Sequence, residues 1–140
     1  ITTYLSNYRG EKSYCNWTQG EYRQQTTTLC YFKVVNAFGL SDMHGNVWEW
    51  SIDDWHDNYE NAHTEGRAWL DNNQQENPDA ENSLESTEKD ENNLFSVMRG
   101  GSWLINPDYC RSAFRSSYIR RDYRYIINGF RVVCVFGRTL

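Results

Sequence analysis

The residue whose side chain could do chemistry most directly is Cys110, in the stretch "RGGSWLINPDYCRSAF". A thiolate can act as a nucleophile or bind a soft metal ion, so a second cysteine beside it would indicate catalysis. The other cysteines are Cys15, Cys30 and Cys134, and none of them forms a CxxC pair. Four cysteines in 140 residues are also too few for a disulfide scaffold. We therefore expect the cysteines to be reduced and buried.

Three carboxylates and an imidazole stand close together in "DDWHDNYE", at Asp53, Asp54, His56 and Asp57. Such groups could hold a metal ion, but neighbours on one strand or turn point in different directions and do not converge. We expect a solvated, turn-forming cluster instead. The other histidines, His44 and His63, lie beside no nucleophile motif, so a Ser/His/Asp hydrolase has no support.

The stretch "DMHGNVWEW" is a candidate site for a hard cation. Gly45 and Asn46 allow a tight, left-handed turn that presents backbone carbonyls outward. With the carboxylate of Glu49, those carbonyls could supply an oxygen-only site for calcium. The candidate ligands are Gly45, Val47 and Glu49. The alternative is a plain turn into a strand whose Trp48 and Trp50 fill the core.

Arginines are concentrated in the last third of an otherwise acidic chain, at Arg99, Arg111, Arg115, Arg120, Arg121, Arg124 and Arg131. They could form a basic face for acidic ligands. Arginine also holds irregular loops through bonds to carbonyls and carboxylates, and the acidic first half supplies such partners. We expect a scaffolding role for most of them.

The elements that must position these groups are short strands. In "GNVWEWSID", Trp48, Trp50 and Ile52 alternate with more polar residues, which predicts a strand with its aromatic face on the core. "SVMRGGSW" and "NGFRVVCVF" also predict strands, the second one buried. The residues before 36 have no helical period, so they predict loops and short strands. Together the elements predict a small, mainly antiparallel sheet in a loop-rich fold.

Residues 72–93 are acidic and rich in amides. Such a segment buries too little apolar surface to offset the entropy of ordering it, so it predicts a mobile acidic surface insert. A calcium loop is disfavoured because the EF-hand spacing is absent.

Length and composition bound the remaining possibilities. The chain has 140 residues, a net charge of −5 and a pI near 5.1, so we expect one domain and no nucleic-acid partner. With 6 Trp, 10 Tyr and 6 Phe, much of the core must consist of large rings. No segment predicts membrane insertion, and the first residues contain neither a signal peptide nor an initiator Met. We expect Ile1 to follow the remainder of a longer parent chain, and the sequence leaves the localisation open.

Four motifs in order resemble the formylglycine-generating-enzyme family of sulfatase-modifying factors: "NAFGLSDMHGNVWEW" (36–50), "RGGSW" (99–103), "CRSAFR" (110–115) and "GFRVV" (129–133). The resemblance implies an α+β, C-type lectin-like fold, of which residues 1–140 form the C-terminal portion. Active members bind copper(I) through two cysteines, and the matching positions here are Ile105 and Cys110. An isoleucine is no ligand, so the resemblance implies no catalytic residues and no required cofactor. A structural calcium ion near Glu49 is still allowed.

The stretch from Arg99 to Leu140 is also similar to variable proteins of diversity-generating retroelements. In those systems a reverse transcriptase miscopies template adenines, so asparagine codons become codons for other residues. The resemblance implies that residues 104–128 form a variable ligand-binding region. The positions expected to contact the ligand are Leu104, Ile105, Asn106, Asp108, Tyr109, Phe114, Ser116, Ser117, Tyr118, Ile119, Tyr123, Tyr125, Ile126 and Ile127. The residues expected to set the framework are Trp48, Trp50, Trp103, Arg111, Arg115 and Phe130.

The residue types in this region agree with such an origin. Changing the first two bases of AAC or AAT never gives Lys, Met, Glu, Gln or Trp, and residues 104–128 contain none of these five. Residues 129–140 lack them too, so the absence supports the origin without deciding it. Tyrosine offers a large contact area and a polar tip at low entropic cost, as in antibody paratopes.

We therefore expect a non-catalytic, receptor-type binding module with a macromolecular ligand, most simply a protein. The alternatives are an oxidase of the formylglycine-generating type and an accessory domain that was never diversified. Carbohydrate binding is disfavoured because the Glu-Pro-Asn and Gln-Pro-Asp motifs of sugar-binding lectins are absent.

Overall fold

The computed structural model describes residues 1–70, 95–120 and 122–132, with Ser117 and Tyr118 described by their backbone alone. The acidic insert predicted at 72–93, Arg121 and Cys134 lie outside the described residues.

Four strands and one short 3-10 helix make up the regular structure of the described residues. They are β1 (Trp48–Asp54), β2 (Phe95–Arg99), the 3-10 helix (Pro107–Cys110), β3 (Ser116–Arg120) and β4 (Asn128–Gly129). No helix in the described part of the chain is long and apolar enough to cross a membrane. This sheet-rich arrangement is only loosely α+β.

The strands form one sheet in the order β3-β2-β1-β4. β2 pairs antiparallel with both β1 and β3, whereas β4 runs parallel to β1. The prediction of a small, mainly antiparallel sheet is confirmed. β3 was not predicted, because its residues show no alternation of apolar and polar side chains.

The prediction for the third strand is wrong in its described part. β4 ends at Gly129, and the side chains of Phe130 and Val132 are 78% and 79% exposed. A framework role for Phe130 is therefore not supported by burial. An apolar run predicts a buried strand, but a strand with only two residues of parallel pairing leaves the side chains that follow it uncovered.

An irregularity in β1 overturns the alternation predicted for that strand. Trp50 pairs with Met98 and Asp54 pairs with Ser96, so β1 accommodates two extra residues at this point. The hydroxyl of Ser96 lies 3.0 Å from the carbonyl oxygens of both Ser51 and Asp53, which fixes the bulge. Ile52, expected to face the core, is consequently 67% exposed.

The first 47 residues are loops, and they are attached to the sheet through Asn46. Loops were predicted for the residues before 36, all of which the structure describes, but the short strands expected among them are not present. Its side-chain oxygen accepts bonds from the Asn7 amide and from the backbone N–H of Thr27, at 3.2 and 2.8 Å. Its amide donates to the carbonyl of Thr27, and its backbone N–H to that of Asn7. One buried side chain therefore connects three loop segments.

The core is small and contains few aliphatic side chains. Its buried apolar members are Tyr8, Trp48, Val97, Met98, Trp103 and Cys110. The framework role expected of Trp48 and Trp103 agrees with their burial. Cys15 and Cys30 are free but exposed, so the prediction that they are buried is wrong.

Candidate functional site

The site begins at the turn that leaves β2, where the chain passes directly over Cys110. Gly101 has φ of +81°, and a Cβ at this position would lie 2.5 Å from Cys110 Sγ. Only glycine permits both the left-handed backbone and the close approach. His44 adds a second constraint, because its Nδ1 lies 2.8 Å from the carbonyl oxygen of Cys110.

Cys110 is fully buried, and its environment keeps the thiol protonated. Burial raises the pKa of Cys110 to about 12, an effect opposed by a hydrogen bond from the Ser102 backbone and increased by Asp108. A thiol that ionises so late is a poor nucleophile and a poor metal ligand near neutral pH. The structure therefore places a packed core residue at this position.

Ile105, which the resemblance matches to a cysteine position, lies in the loop before the 3-10 helix. Its carbonyl accepts a 2.9 Å bond from the backbone N–H of Arg9, which fixes the loop against the N-terminal segment. Its side chain lines an open hollow of about 270 Å³, which we call the aromatic hollow. The other lining residues are Trp48, Tyr109, Phe114 and Ser116.

The walls of the aromatic hollow are rings that support one another. Tyr109 meets Phe114 edge to face with ring centroids 5.0 Å apart, and Trp48 lies 6.0 Å from Phe114. The 3-10 helix positions Tyr109, whose side chain is 44% exposed. Such a hollow can receive an apolar or aromatic group and offers the Tyr109 and Ser116 hydroxyls at its edge.

A second exposed group follows β3. The rings of Tyr123 and Tyr125 stack with centroids 6.0 Å apart, and Ile126 beside them is 66% exposed. The carbonyl of Ile127 accepts a 2.7 Å bond from the backbone N–H of Trp48, which attaches this loop to β1.

The structure thus brings together only some of the predicted contact residues. Ile105, Tyr109, Phe114 and Ser116 share the aromatic hollow. Leu104 and Asn106 are half-buried beside it, Asp108 is exposed on the 3-10 helix, and Ile119 is half-buried on β3. The side chains of Ser117 and Tyr118 are outside the described residues.

The turn predicted at Gly45 and Asn46 is present, but Glu49 already has a partner. Both residues are left-handed, with φ of +82° and +68°. The carbonyl of Asn46 points inward and accepts from the Trp103 N–H, whereas outward carbonyls were expected. The two carboxylate oxygens of Glu49 accept bonds of 2.7 and 2.8 Å from Arg131.

As arranged, Gly45, Val47 and Glu49 do not fit a calcium ion. The guanidinium of Arg131 occupies both oxygens of the only carboxylate in the set, and it also donates to the Ser41 carbonyl. Within residues 1–70, 95–120 and 122–132, no three His, Cys, Asp or Glu side chains are grouped to hold a metal ion.

The acidic cluster is not the solvated turn that the sequence indicated. Asp54 is 2% exposed, because the bulge in β1 turns it inward. Asp53 accepts from the Trp69 N–H and from the Ser51 hydroxyl, both at 3.0 Å. His56 stacks on Trp69 with ring centroids 3.8 Å apart. These groups hold the segment that follows β1.

Sequence reasoning named Asn46 and His44 but missed the contacts by which they fix the turn and the site. A polar residue beside a glycine in "HGN" indicated the turn, but nothing in that pattern shows which loops its amide would reach. The bond from His44 to the Cys110 carbonyl joins residues far apart in the chain, so no local signal predicts it.

Comparison with known proteins places the chain in a family. The family described as "Sulfatase-modifying factor enzyme 1-like domain" matches residues 3–135. A solved structure, "Structure of PvdO from Pseudomonas aeruginosa", is similar with 30% identity and a TM-score of 0.60. The similarity covers 91% of this chain but only 38% of that protein. No curated protein matches the sequence.

Proposed function

The chain belongs to the family of sulfatase-modifying factor enzyme 1-like domains. Within that family, we propose that it is a non-catalytic, receptor-type ligand-binding module with a C-type lectin-like fold. Its ligand is a macromolecule, most simply a protein. The finer proposal is that the chain is a variable protein of a diversity-generating retroelement, diversified over residues 104–128.

One observation carries the proposal: predicted contact residues share one accessible hollow, whereas neighbouring residues of the family motifs are buried. Ile105, Tyr109 and Phe114 line the aromatic hollow, and Ser102, Trp103 and Cys110 are buried. A surface can change its side chains without unfolding the domain where contact positions are accessible and framework positions are buried. Trp48, the framework residue in the lining of the hollow, is itself buried. Accessible aromatic rings are also typical of recognition surfaces.

The same residues argue against the oxidase alternative. A copper(I) site of the family type needs two thiolates, and position 105 supplies an aliphatic side chain instead. The remaining thiol, Cys110, is buried and has a pKa raised to about 12. We expect neither copper(I) uptake nor conversion of a substrate cysteine to formylglycine. A family enzyme with both cysteines is the positive control, and activity of this chain in either assay would overturn the proposal.

The deciding experiment is to sequence the DNA that encodes residues 99–134 together with the few kilobases around it. The proposal expects a near-copy of this region that differs only where the copy carries adenine, and a reverse-transcriptase gene close by. Such a copy would list the contact positions directly. If both are absent, the retroelement proposal is wrong and the chain is a fixed family domain.

A further inference from the structure

A second hollow shares no lining residue with the aromatic hollow. Phe114 lines the aromatic hollow, and the next residue, Arg115, lines the second one. This second hollow has a volume of about 140 Å³, and three guanidinium groups border it: those of Arg67, Arg99 and Arg115. We call it the arginine hollow. None of its lining residues lies in the predicted contact set.

Arg115 is held rigidly at the arginine hollow. Its Cζ lies 4.6 Å from the ring centre of Trp55 and 4.4 Å from that of Tyr59. One Nη donates a 2.8 Å bond to the carbonyl of His56. Cation–π contacts and a backbone bond fix the guanidinium plane without neutralising its charge. A fixed guanidinium loses little entropy when it binds a ligand.

Arg99 is also held by neutral groups. Its two Nη atoms donate at 3.3 Å to the Ser112 carbonyl and to the Tyr59 hydroxyl. Among the described residues, no carboxylate forms a salt bridge with Arg99 or Arg115. Each guanidinium has five N–H donors, so both retain donors for an anion. Arg67 is paired with Glu65, an exposed contact at 3.2 Å.

The acidic residues that line the arginine hollow limit the charge of the anion that can bind there. Asp53 and Asp54 also line it, and His63 is a further lining residue. Asp53 already accepts from Trp69 and Ser51, and Asp54 is buried. Because Arg67 is paired with Glu65, the partners of an anion are Arg99 and Arg115, and the two nearby carboxylates repel a dianion more strongly than a monoanion. The small volume likewise suits a carboxylate on a short carbon chain.

We propose that the arginine hollow is a binding site for a carboxylate, held bidentately by Arg99 and Arg115 beside the rings of Tyr59 and Trp69. Bidentate pairing of a guanidinium with a carboxylate is favoured by geometry as well as charge. The source of the carboxylate is either a small organic acid or an acidic side chain of a partner protein. This site is independent of the proposed function, because it uses residues outside the aromatic hollow.

The test uses the fluorescence of the tryptophans beside the arginine hollow. Sodium propionate is titrated into the protein at constant ionic strength, and propionamide serves as the uncharged control. The proposal expects a saturable change with propionate and none with propionamide. In Arg99→Gln the affinity for propionate should fall at least tenfold. Arg124→Gln removes an exposed arginine away from the hollow and should bind as the unaltered protein does.

Arg115→Gln is a second variant, but it removes the cation–π contacts and can lower stability. Melting temperatures of all variants are therefore compared first, and Arg99→Gln decides the outcome if Arg115→Gln does not fold. Equal responses to propionate and propionamide, or an unchanged affinity in Arg99→Gln, would overturn the site. Tighter binding of inorganic phosphate than of propionate would overturn the choice of carboxylate.

A second titration, with N-acetylglutamate amide in place of propionate, distinguishes the two sources of the carboxylate. If N-acetylglutamate amide binds more tightly than propionate, the source is an acidic side chain of a protein. If it binds more weakly, the source is a free organic acid.

Discussion

At the scale of single residues, Cys110 bears most directly on the chemistry of this chain. The sequence leaves it as a catalytic thiol or a core residue, and its surroundings favour a core residue. The thiol packs against Gly101, is fully buried and has a pKa raised to about 12. The neutral form is therefore the one that the fold stabilises.

This raised pKa predicts a loss of stability in alkaline solution. The folded pKa of Cys110 is about 12 and the reference value is 9.0, so the unfolded chain releases the proton first as pH rises. Stability is complete below pH 9 and declines above it, by about 2 kcal/mol between pH 9 and roughly 10.5. Urea denaturation with a reducing agent present measures this decline. Cys110→Ala should lack most of it, and an identical decline in that variant would contradict the assignment.

Substitution of the exposed tyrosines is expected to have little effect on stability. Tyr123 and Tyr125 are 47% and 49% exposed and stack mainly on each other. Replacing either with Ala should lower the melting temperature by no more than about 2 °C, because little buried surface is lost. Tyr8→Ala is the matched control, since its ring is buried and truncation should cost about 3 kcal/mol or more. A loss comparable to that control would identify both rings as core residues.

At the scale of elements, the loops matter as much as the strands. The sheet alone has four strands, one of them only two residues long, so it cannot define the site by itself. Asn46 holds the N-terminal loops against it, with contacts to Asn7 and Thr27. The site depends on this attachment, because the turn that contains Asn46 leads directly to Trp48, which lines the aromatic hollow.

Substitution of Asn46 tests that attachment. Asn46→Ala should lower the free energy of unfolding by about 3 kcal/mol, because it removes the acceptor of the half-buried Thr27 N–H and one acceptor of the buried Asn7 amide, and it places alanine at a positive φ. Asn46→Gly keeps the φ of +68° without strain, so it should be about 1 kcal/mol more stable than the alanine variant. Chemical denaturation measures both, and Asn16→Ala, at an exposed asparagine, is the control. Equal stability of Asn46→Ala and the control would mean that the loops are held elsewhere.

The elements also show how far a sequence pattern can be trusted. Strands β1 and β2 could be predicted because alternation and β-branched or aromatic residues reflect local burial. The bulge in β1 could not, because it depends on the Ser96 hydroxyl reaching two carbonyls across the strand pair. Ile52 was therefore assigned to the wrong face. The resemblance named four of the five residues that line the aromatic hollow. For Arg99 and Arg115 the sequence allowed a basic face for acidic ligands, but a scaffolding role was preferred for most of the arginines.

At the scale of the whole molecule, the ion pair of Glu49 and Arg131 joins the last described residues to β1. The two residues are 82 positions apart, and their side chains are 23% and 31% exposed. The same guanidinium reaches the carbonyl of Ser41 at 3.1 Å. The hydrogen bonds that Arg131 donates to the Glu49 carboxylate raise the pKa of Arg131, so its guanidinium is charged throughout the ordinary pH range.

This pair predicts both a coupling energy and an insensitivity to calcium. In a double-mutant cycle of Glu49→Gln and Arg131→Gln, measured by urea denaturation, the coupling should be about 1–2 kcal/mol, because the bidentate pair is partly buried. Glu11→Gln, which breaks the exposed contact with Arg9, should cost under about 0.5 kcal/mol. Because Arg131 already neutralises Glu49, the melting temperature should be equal in millimolar calcium and in EDTA. A calcium-dependent rise that disappears in Glu49→Gln would mean that the ion displaces the guanidinium and binds at this turn.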